Sequence, residues 1–191
     1  MKSLCCLHYT HNSISLTSTN VTCNGGSDAK ITVHVTGGTK LYQYKIGTGS
    51  FVNDSIFNSL SVGVYSISIV DANGCTNSKS VVITQPTALA VSATSTTNVD
   101  CKGNSTGSIT VGGSGGTTPY TYNYAGGSYA SANTFSSLAA GTHTIGIKDA
   151  NGCTSSVSVT ITEPNALAVS ATSTTNVDCK GTSTGLITVG G

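Results

Sequence analysis

The chain has 191 residues, of which only 8% are charged, and carries a net charge of +1. An ordinary soluble domain has about a quarter of its residues charged, so Ser, Thr, Asn and Gly must cover this surface. With no basic or acidic run there is no nucleic-acid footprint, and no stretch is apolar for long enough to span a bilayer as a helix.

Residues 1–13, MKSLCCLHYTHNS, read as a non-repeat, disordered leader. They are too poor in apolar residues for a secretion signal. Their Cys5, Cys6, His8 and His11 lack zinc-ligand spacing, since adjacent cysteines with no second half-site do not suit a tetrahedral metal. No metal and no other cofactor is expected.

After the leader the chain repeats itself. Leu60–Cys75, LSVGVYSISIVDANGC, returns as Leu138–Cys153, LAAGTHTIGIKDANGC, at an offset of 78 residues. Cys23, Cys101 and Cys179 keep the same offset, and ALAVSATSTTNVDCKG recurs letter for letter from Ala88 and from Ala166. An unbroken repeat of this length defines a small domain rather than a solenoid unit. Copy one is placed at 14–86 and copy two at 87–164, and 165–191 is the start of a truncated third. The chain is expected to be an internal piece of a longer protein, with any signal or anchor outside it.

Within each copy the apolar residues alternate with period two, and no helical periodicity is present. In copy two, Leu89, Val91 and Ala93 share one face of a first strand. Ile109 and Val111 follow, then Tyr120, Tyr122 and Tyr124, one further strand within 128–136, then His143, Ile145 and Ile147, and last Val157, Val159 and Ile161. Copy one repeats this with Ile31, Val33 and Val35, with Tyr42, Tyr44 and Ile46, and with Tyr65, Ile67 and Ile69. Short half-buried strands joined by Gly- and Pro-rich turns predict an all-β fold of tandem immunoglobulin-like sandwiches.

Two local motifs sharpen this. Asp71-Ala72-Asn73-Gly74 and Asp149-Ala150-Asn151-Gly152 predict hairpins, with the Asn-Gly pair in a type I′ turn that needs positive φ at both positions. Asp149 suits an Asx-type hydrogen bond that sets the turn, and one carboxylate is too few for a calcium ion. Leu60-x-x-Gly63-x-Tyr65 looks like a tyrosine corner. Copy two has Leu138, Gly141 and His143 there, so its corner must be tied differently or be looser.

Cys23 and Cys75, and likewise Cys101 and Cys153, are 52 residues apart. Four strands are counted between them, an even number that returns the chain to the same end of the sandwich, so a disulfide is predicted within each full copy, Cys23–Cys75 and Cys101–Cys153. A fifth strand hidden in 125–141 would put the sulfurs at opposite ends and forbid it. Buried free thiols are the alternative. Cys179 is left without its hairpin counterpart, and the state of Cys5, Cys6 and Cys179 is open.

Nothing assembles a nucleophile, base and orienting group. Of the acid–base candidates in copy two, Asp100, His143 and Glu163 become Thr22, Tyr65 and Gln85 in copy one, so no enzyme is expected. The tyrosines on one face are assigned to the core. Phe51 and Tyr129, at equivalent positions, are the candidate ligand contacts.

The combined pattern Cys-x-Gly-x3-Gly-x-Ile-x-Val, GG-x2-PYxY, L-x2-G-x-Y and DANGC resembles the SprB repeat. That family fills large surface adhesins of gliding Bacteroidetes bacteria. Its members often carry Trp after the PYxY block, where this chain has Ile46 and Tyr124, and copy one has Lys40-Leu41 in place of Thr118-Pro119. The resemblance implies an immunoglobulin-like domain exported to the cell surface, through the type IX route, in a protein of adhesion or gliding. Its partners would be neighbouring repeats of the same chain and surface polysaccharide, without nucleic acid or membrane insertion in this segment. A pure spacer, and an accessory module of a secreted polysaccharide-degrading enzyme, are the rival readings.

Overall fold

The computed structural model describes residues 11–181 and 183–191. Cys5, Cys6 and His8, weighed above as zinc ligands and set aside, lie outside them. Every regular element described is a strand, and the fold is all-β.

Copy one is built from β1 (Ser13–Thr19), β2 (Ala29–Thr36), β3 (Gln43–Ile46), β4 (Ile56–Leu60), β5 (Gly63–Val70) and β6 (Thr76–Ile83). They form two three-stranded antiparallel sheets, β1-β2-β4 and β3-β5-β6. Copy two repeats the plan with β7 (Ala90–Thr97), β8 (Gly107–Ser114), β9 (Thr121–Tyr124), β10 (Thr134–Leu138), β11 (Gly141–Lys148) and β12 (Thr154–Ile161). Its sheets are β7-β8-β10 and β9-β11-β12. Strands β13 (Ser170–Thr175) and β14 (Leu186–Gly190) pair as a hairpin.

Period-two alternation sends one face of each sheet inward. Ile31, Ile67, Ile69 and Ile83 fill the core of copy one, and Ile109, Ile145, Ile147 and Ile161 take the same places in copy two. All eight are fully buried. The β-branched isoleucine suits a pleated surface and fills these thin cores where larger aromatics are scarce.

The 78-residue offset breaks once. β7 pairs with β8 through a bulge between Ala93 and Ser95, whereas β1 pairs with β2 in unbroken register. Ile14 faces Val35 while Val91 faces Gly113, so before Thr17 the copies are related by 77 residues. Asn12 thereby takes the place of Leu89. Asn12 and Ser13, assigned to the leader on sequence grounds, belong to the sandwich: Asn12 is buried and Ser13 opens β1.

The strand expected in 128–136 is two separate pieces. After β9 the chain turns at Ala125-Gly126, both at positive φ, and runs back so that Ala130 bridges to Tyr122. It then crosses to the other sheet as β10. Copy one does the same through Gly47, with Val52 bridging to Tyr44. Five traversals therefore separate the first cysteine of a copy from its hairpin cysteine.

Candidate functional site

The odd count decides where the cysteines lie. The loop holding Cys23 joins β1 to β2 at the end where Ala29 pairs with Leu60. Cys75 closes the β5–β6 turn at the other end, where Val70 pairs with Thr76. An eight-residue strand such as β5 spans roughly 23 Å between its ends, far beyond the reach of a disulfide. The within-copy bonds Cys23–Cys75 and Cys101–Cys153 are thus excluded.

Cys23 is instead bonded to Cys153 across the junction of the two sandwiches, with Cα atoms 5.7 Å apart and 130 residues of sequence between them. The first-cysteine loop of copy one lies at its C-terminal end. The DANGC hairpin of copy two lies at its N-terminal end, so the two meet. By the loop-closure model a cross-link of this span contributes about 5 kcal/mol. The junction is also tied by hydrogen bonds. Asn24 Nδ2 donates to Pro86 O at 3.0 Å, Gly116 N to Thr87 O at 2.9 Å, and Asn151 Nδ2 to Thr22 O at 3.3 Å. Cys23, Asn24, Leu89 and Cys153 line a groove of about 420 Å³ at this joint.

Each hairpin is held by its aspartate. Asp149 Oδ1 accepts from Asn151 N and Cys153 N, both at 2.9 Å, and Oδ2 accepts from Thr117 N at 2.9 Å. Asp71 repeats this with Asn73 N at 3.0 Å, Cys75 N at 2.8 Å and Thr39 N at 3.1 Å. The Thr39 amide is the largest cause holding the Asp71 carboxyl below its ordinary range; burial opposes it, and the Cys75 and Asn73 amides add to it. These carboxylate oxygens face N–H donors, the wrong neighbours for a cation. The turn itself differs from expectation. Gly74 and Gly152 have φ near +80° (80° and 85°), while Asn73 and Asn151 stay outside the left-handed region. The loop is three residues with one glycine in the left-handed position, the arrangement of a type I turn with a bulge. The positive-φ pair expected there sits at Ala125-Gly126 instead.

The acid–base candidates all have structural tasks shared with their replacements. Tyr65 OH donates to Ser61 O at 3.0 Å, and His143 Nε2 makes the same bond to Ala139 O at 2.9 Å. Because the Ala139 carbonyl only accepts, Nε2 carries a proton, and Nδ1 lies 2.7 Å from Tyr124 OH. Copy two's corner is tied after all, by a different side chain. Glu163 Oε2 accepts from Gly103 N at 2.8 Å as Gln85 Oε1 does from Gly25 N at 2.8 Å. Asp100 and Thr106 close their loop as Thr22 and Asp28 do, with the two residue types exchanged. Among the described residues no three His, Cys, Asp or Glu side chains cluster to hold a metal.

The aromatic candidates differ from one another. Phe51 is 36% exposed with Lys45 Nζ 5.0 Å from its ring centre. Tyr129, expected to be exposed, is half-buried and lies under Lys148 Nζ at 4.5 Å. The lysine comes from β3 in one copy and β11 in the other. Such cation–π contacts contribute about 0.5–1 kcal/mol each at exposed sites. Sequence reading missed the side of copy two where Tyr124, Phe135 and His143 line a groove of about 590 Å³. The Phe135–Leu138 register shift shapes this region, and the Phe57–Leu60 shift is its counterpart in copy one. No sequence signal marks them, because the residues in left-handed conformation there are Ser59 and Ser137 rather than glycine.

These features define a tandem array of immunoglobulin-like β-sandwiches with a covalent bond across the joint. Residues 15–51 and 93–128 match the family model described as SprB repeat, one match in each sandwich. No curated protein matches the sequence. Among solved structures, the C-terminal 282-residue fragment of intimin, determined with the intimin-binding domain of the translocated intimin receptor, is 16% identical with a TM-score of 0.42; the match covers 78% of this chain and 64% of that one. The fibronectin(III)-like modules of Clostridium thermocellum CbhA give 18% and 0.31, over 79% of this chain and 95% of that one. Domains 4–9 of surface layer protein SbsC give 14% and 0.33, over 84% and 32%. At these identities and scores they stand as resemblances in shape. Repeat and immunoglobulin-like domains are typically non-catalytic.

Proposed function

We propose that this segment is a stalk within a cell-surface adhesin of the gliding-motility type, a non-catalytic spacer that holds distal parts of its protein away from the cell. The cross-junction disulfide Cys23–Cys153 carries the reading. A bond placed between sandwiches stiffens the joint and shields the 130 residues between its cysteines from tension, which serves reach and strength rather than chemistry. A disulfide also suits an oxidising compartment outside the cytoplasm. The SprB-repeat matches favour the same setting.

A second reading, weak multivalent polysaccharide binding, is favoured by one observation, the groove lined by Tyr124, Phe135 and His143. Repetition would turn weak single contacts into firm attachment through effective concentration. Antibody labelling of intact cells tests the surface placement. Signal appearing only after permeabilisation sinks it. Binding of the chain, single and multimerised, to polysaccharides and to whole cells then separates the readings. A stalk gives no saturable binding. Binding abolished by Tyr124→Ala, or by Phe51→Ala with Tyr129→Ala, makes the repeats adhesive in themselves.

A further inference from the structure

Cys101 occupies in copy two the position that Cys23 occupies in copy one, and its thiol is exposed and unbonded. The two loops are built alike. Val21 N and Val99 N donate to Thr84 O and Thr162 O, both at 3.0 Å. Asn20 and Asn98 accept from Thr84 N and Thr162 N at 3.0 and 3.1 Å. Gly26 N and Asn104 N close onto the carbonyls of Cys23 and Cys101 at 2.9 and 3.0 Å. The linker that follows is also alike, with Pro164 and Leu167 standing where Pro86 and Leu89 stand. Leu89 packs against the core of copy two beside the joint.

We propose that Cys101 is a covalent docking site for another copy of this repeat, whose DANGC cysteine it bonds when that copy follows in the chain. The inference rests on the junction geometry alone and holds whatever the array binds. The bond forms by thiol–disulfide exchange. The Cys101 thiolate attacks an oxidising disulfide, from a small molecule or an oxidoreductase, forms a mixed disulfide and releases one thiol. The hairpin thiolate then displaces the second thiol. The two cysteines give up two protons and two electrons, and the oxidant disulfide becomes two thiols.

The consequence is topological. Each bond encloses 130 residues while the repeat recurs every 78, so successive loops overlap. Cys101 itself lies inside the loop closed by Cys23 and Cys153. Within such an array every backbone bond is spanned by at least one disulfide, and a single cut leaves the fibre in one piece.

The test completes the third copy by adding residues 114–164 again after Gly191, with a protease recognition site inserted after Asn165 and Cys179→Ser to remove competition. That site lies outside the Cys23–Cys153 loop and inside the proposed one. After cleavage, non-reducing electrophoresis is expected to show one intact species that separates on reduction. Cys101→Ser is expected to separate without reduction. Peptide mapping with free thiols blocked should join Cys101 to the added hairpin cysteine. A second version completed with residues 36–86 guards against a completion that does not fold. If in both versions the cut chain separates unreduced, or Cys101 is recovered alkylated or joined elsewhere, the proposal is overturned.

Discussion

Copy one and copy two share a fold, yet they reach several of the same contacts with different residues. A tyrosine hydroxyl ties one corner and an imidazole the other. Gln85 and Glu163 hold the same glycine amide. Lys40-Leu41 with Leu41 at φ 78° stands where copy two has a cis Thr118–Pro119 bond. The eight inward isoleucines, by contrast, coincide position for position. The repeat therefore constrains which backbone groups must be satisfied and which volumes must be filled. The side chain that meets a polar demand is free to change when its donor or acceptor lands in the same place.

The strongest way to break the comparison is to cut the bond that joins the copies. Pulled from its ends, the oxidised chain cannot release the 130 residues between Cys23 and Cys153. In single-molecule extension, Cys23→Ser or a reductant is expected to add about 450 Å of contour, at 3.3–3.6 Å per residue. An unchanged contour length would mean that the cross-junction bond does not form. Thermal stability should fall in parallel, by about 5 kcal/mol in the loop-closure model.

The hairpin aspartates rank next. Asp71→Ala or Asp149→Ala strands three backbone amides, and each is expected to destabilise its own sandwich by about 2–3 kcal/mol, read by denaturant unfolding and by hydrogen exchange in that copy. Asp71 adds a pH signature. Its folded carboxyl titrates below the ordinary value of 3.8, so its contribution is fully present above that value and is lost as pH falls through the lower, folded one. Melting of the wild type between pH 7 and about pH 3 should fall more steeply than that of Asp71→Asn. Parallel curves would remove Asp71 from the acid response.

How much of this is legible in the sequence follows from the same pairs. Alternation placed the inward isoleucines, because period two survives any change of polar partner. It also held an unread signal: Ile14 and Leu16 are even-numbered, whereas Leu89, Val91 and Ala93 are odd. An even offset cannot superpose them, and the slip is the bulge at Thr94. The disulfide pairing was missed because the strand count stopped one short. Ala125-Gly126-Gly127 and Gly47-Thr48-Gly49 are turn sequences within a few residues of the tyrosine strand, and they mark the hidden return through Ala130 and Val52. The Tyr124–Phe135–His143 groove stayed unread because it depends on left-handed serines that carry no compositional mark.

A smaller effect sharpens the core comparison. Ala29 in copy one is Gly107 in copy two. A methyl group added at Gly107 would lie 2.8 Å from Leu138 O and 2.9 Å from Ile161 Cδ1, although Ala29 is fully buried without conflict. Gly107→Ala is expected to cost about 1–3 kcal/mol by overpacking, against the usual gain from replacing a glycine. Ala29→Gly should cost about 1 kcal/mol. Equal tolerance in both directions would show that the two cores relax more freely than their register implies.

The smallest predicted effect isolates backbone from packing. Leu41 is 84% exposed and sits at φ 78°, a region that costs a branched side chain on the order of 1–2 kcal/mol. Truncation there loses almost no buried surface. Leu41→Gly removes the steric penalty but makes the unfolded chain more flexible, so a net gain of about 0.5–1 kcal/mol in copy one is expected. Leu41→Ala keeps a Cβ and should gain almost nothing. If Ala and Gly stabilise equally, the burden at this position is the exposed leucine side chain in water rather than the left-handed backbone. Copy two would then have escaped an apolar exposure, and not a strained turn, by carrying proline at the same place.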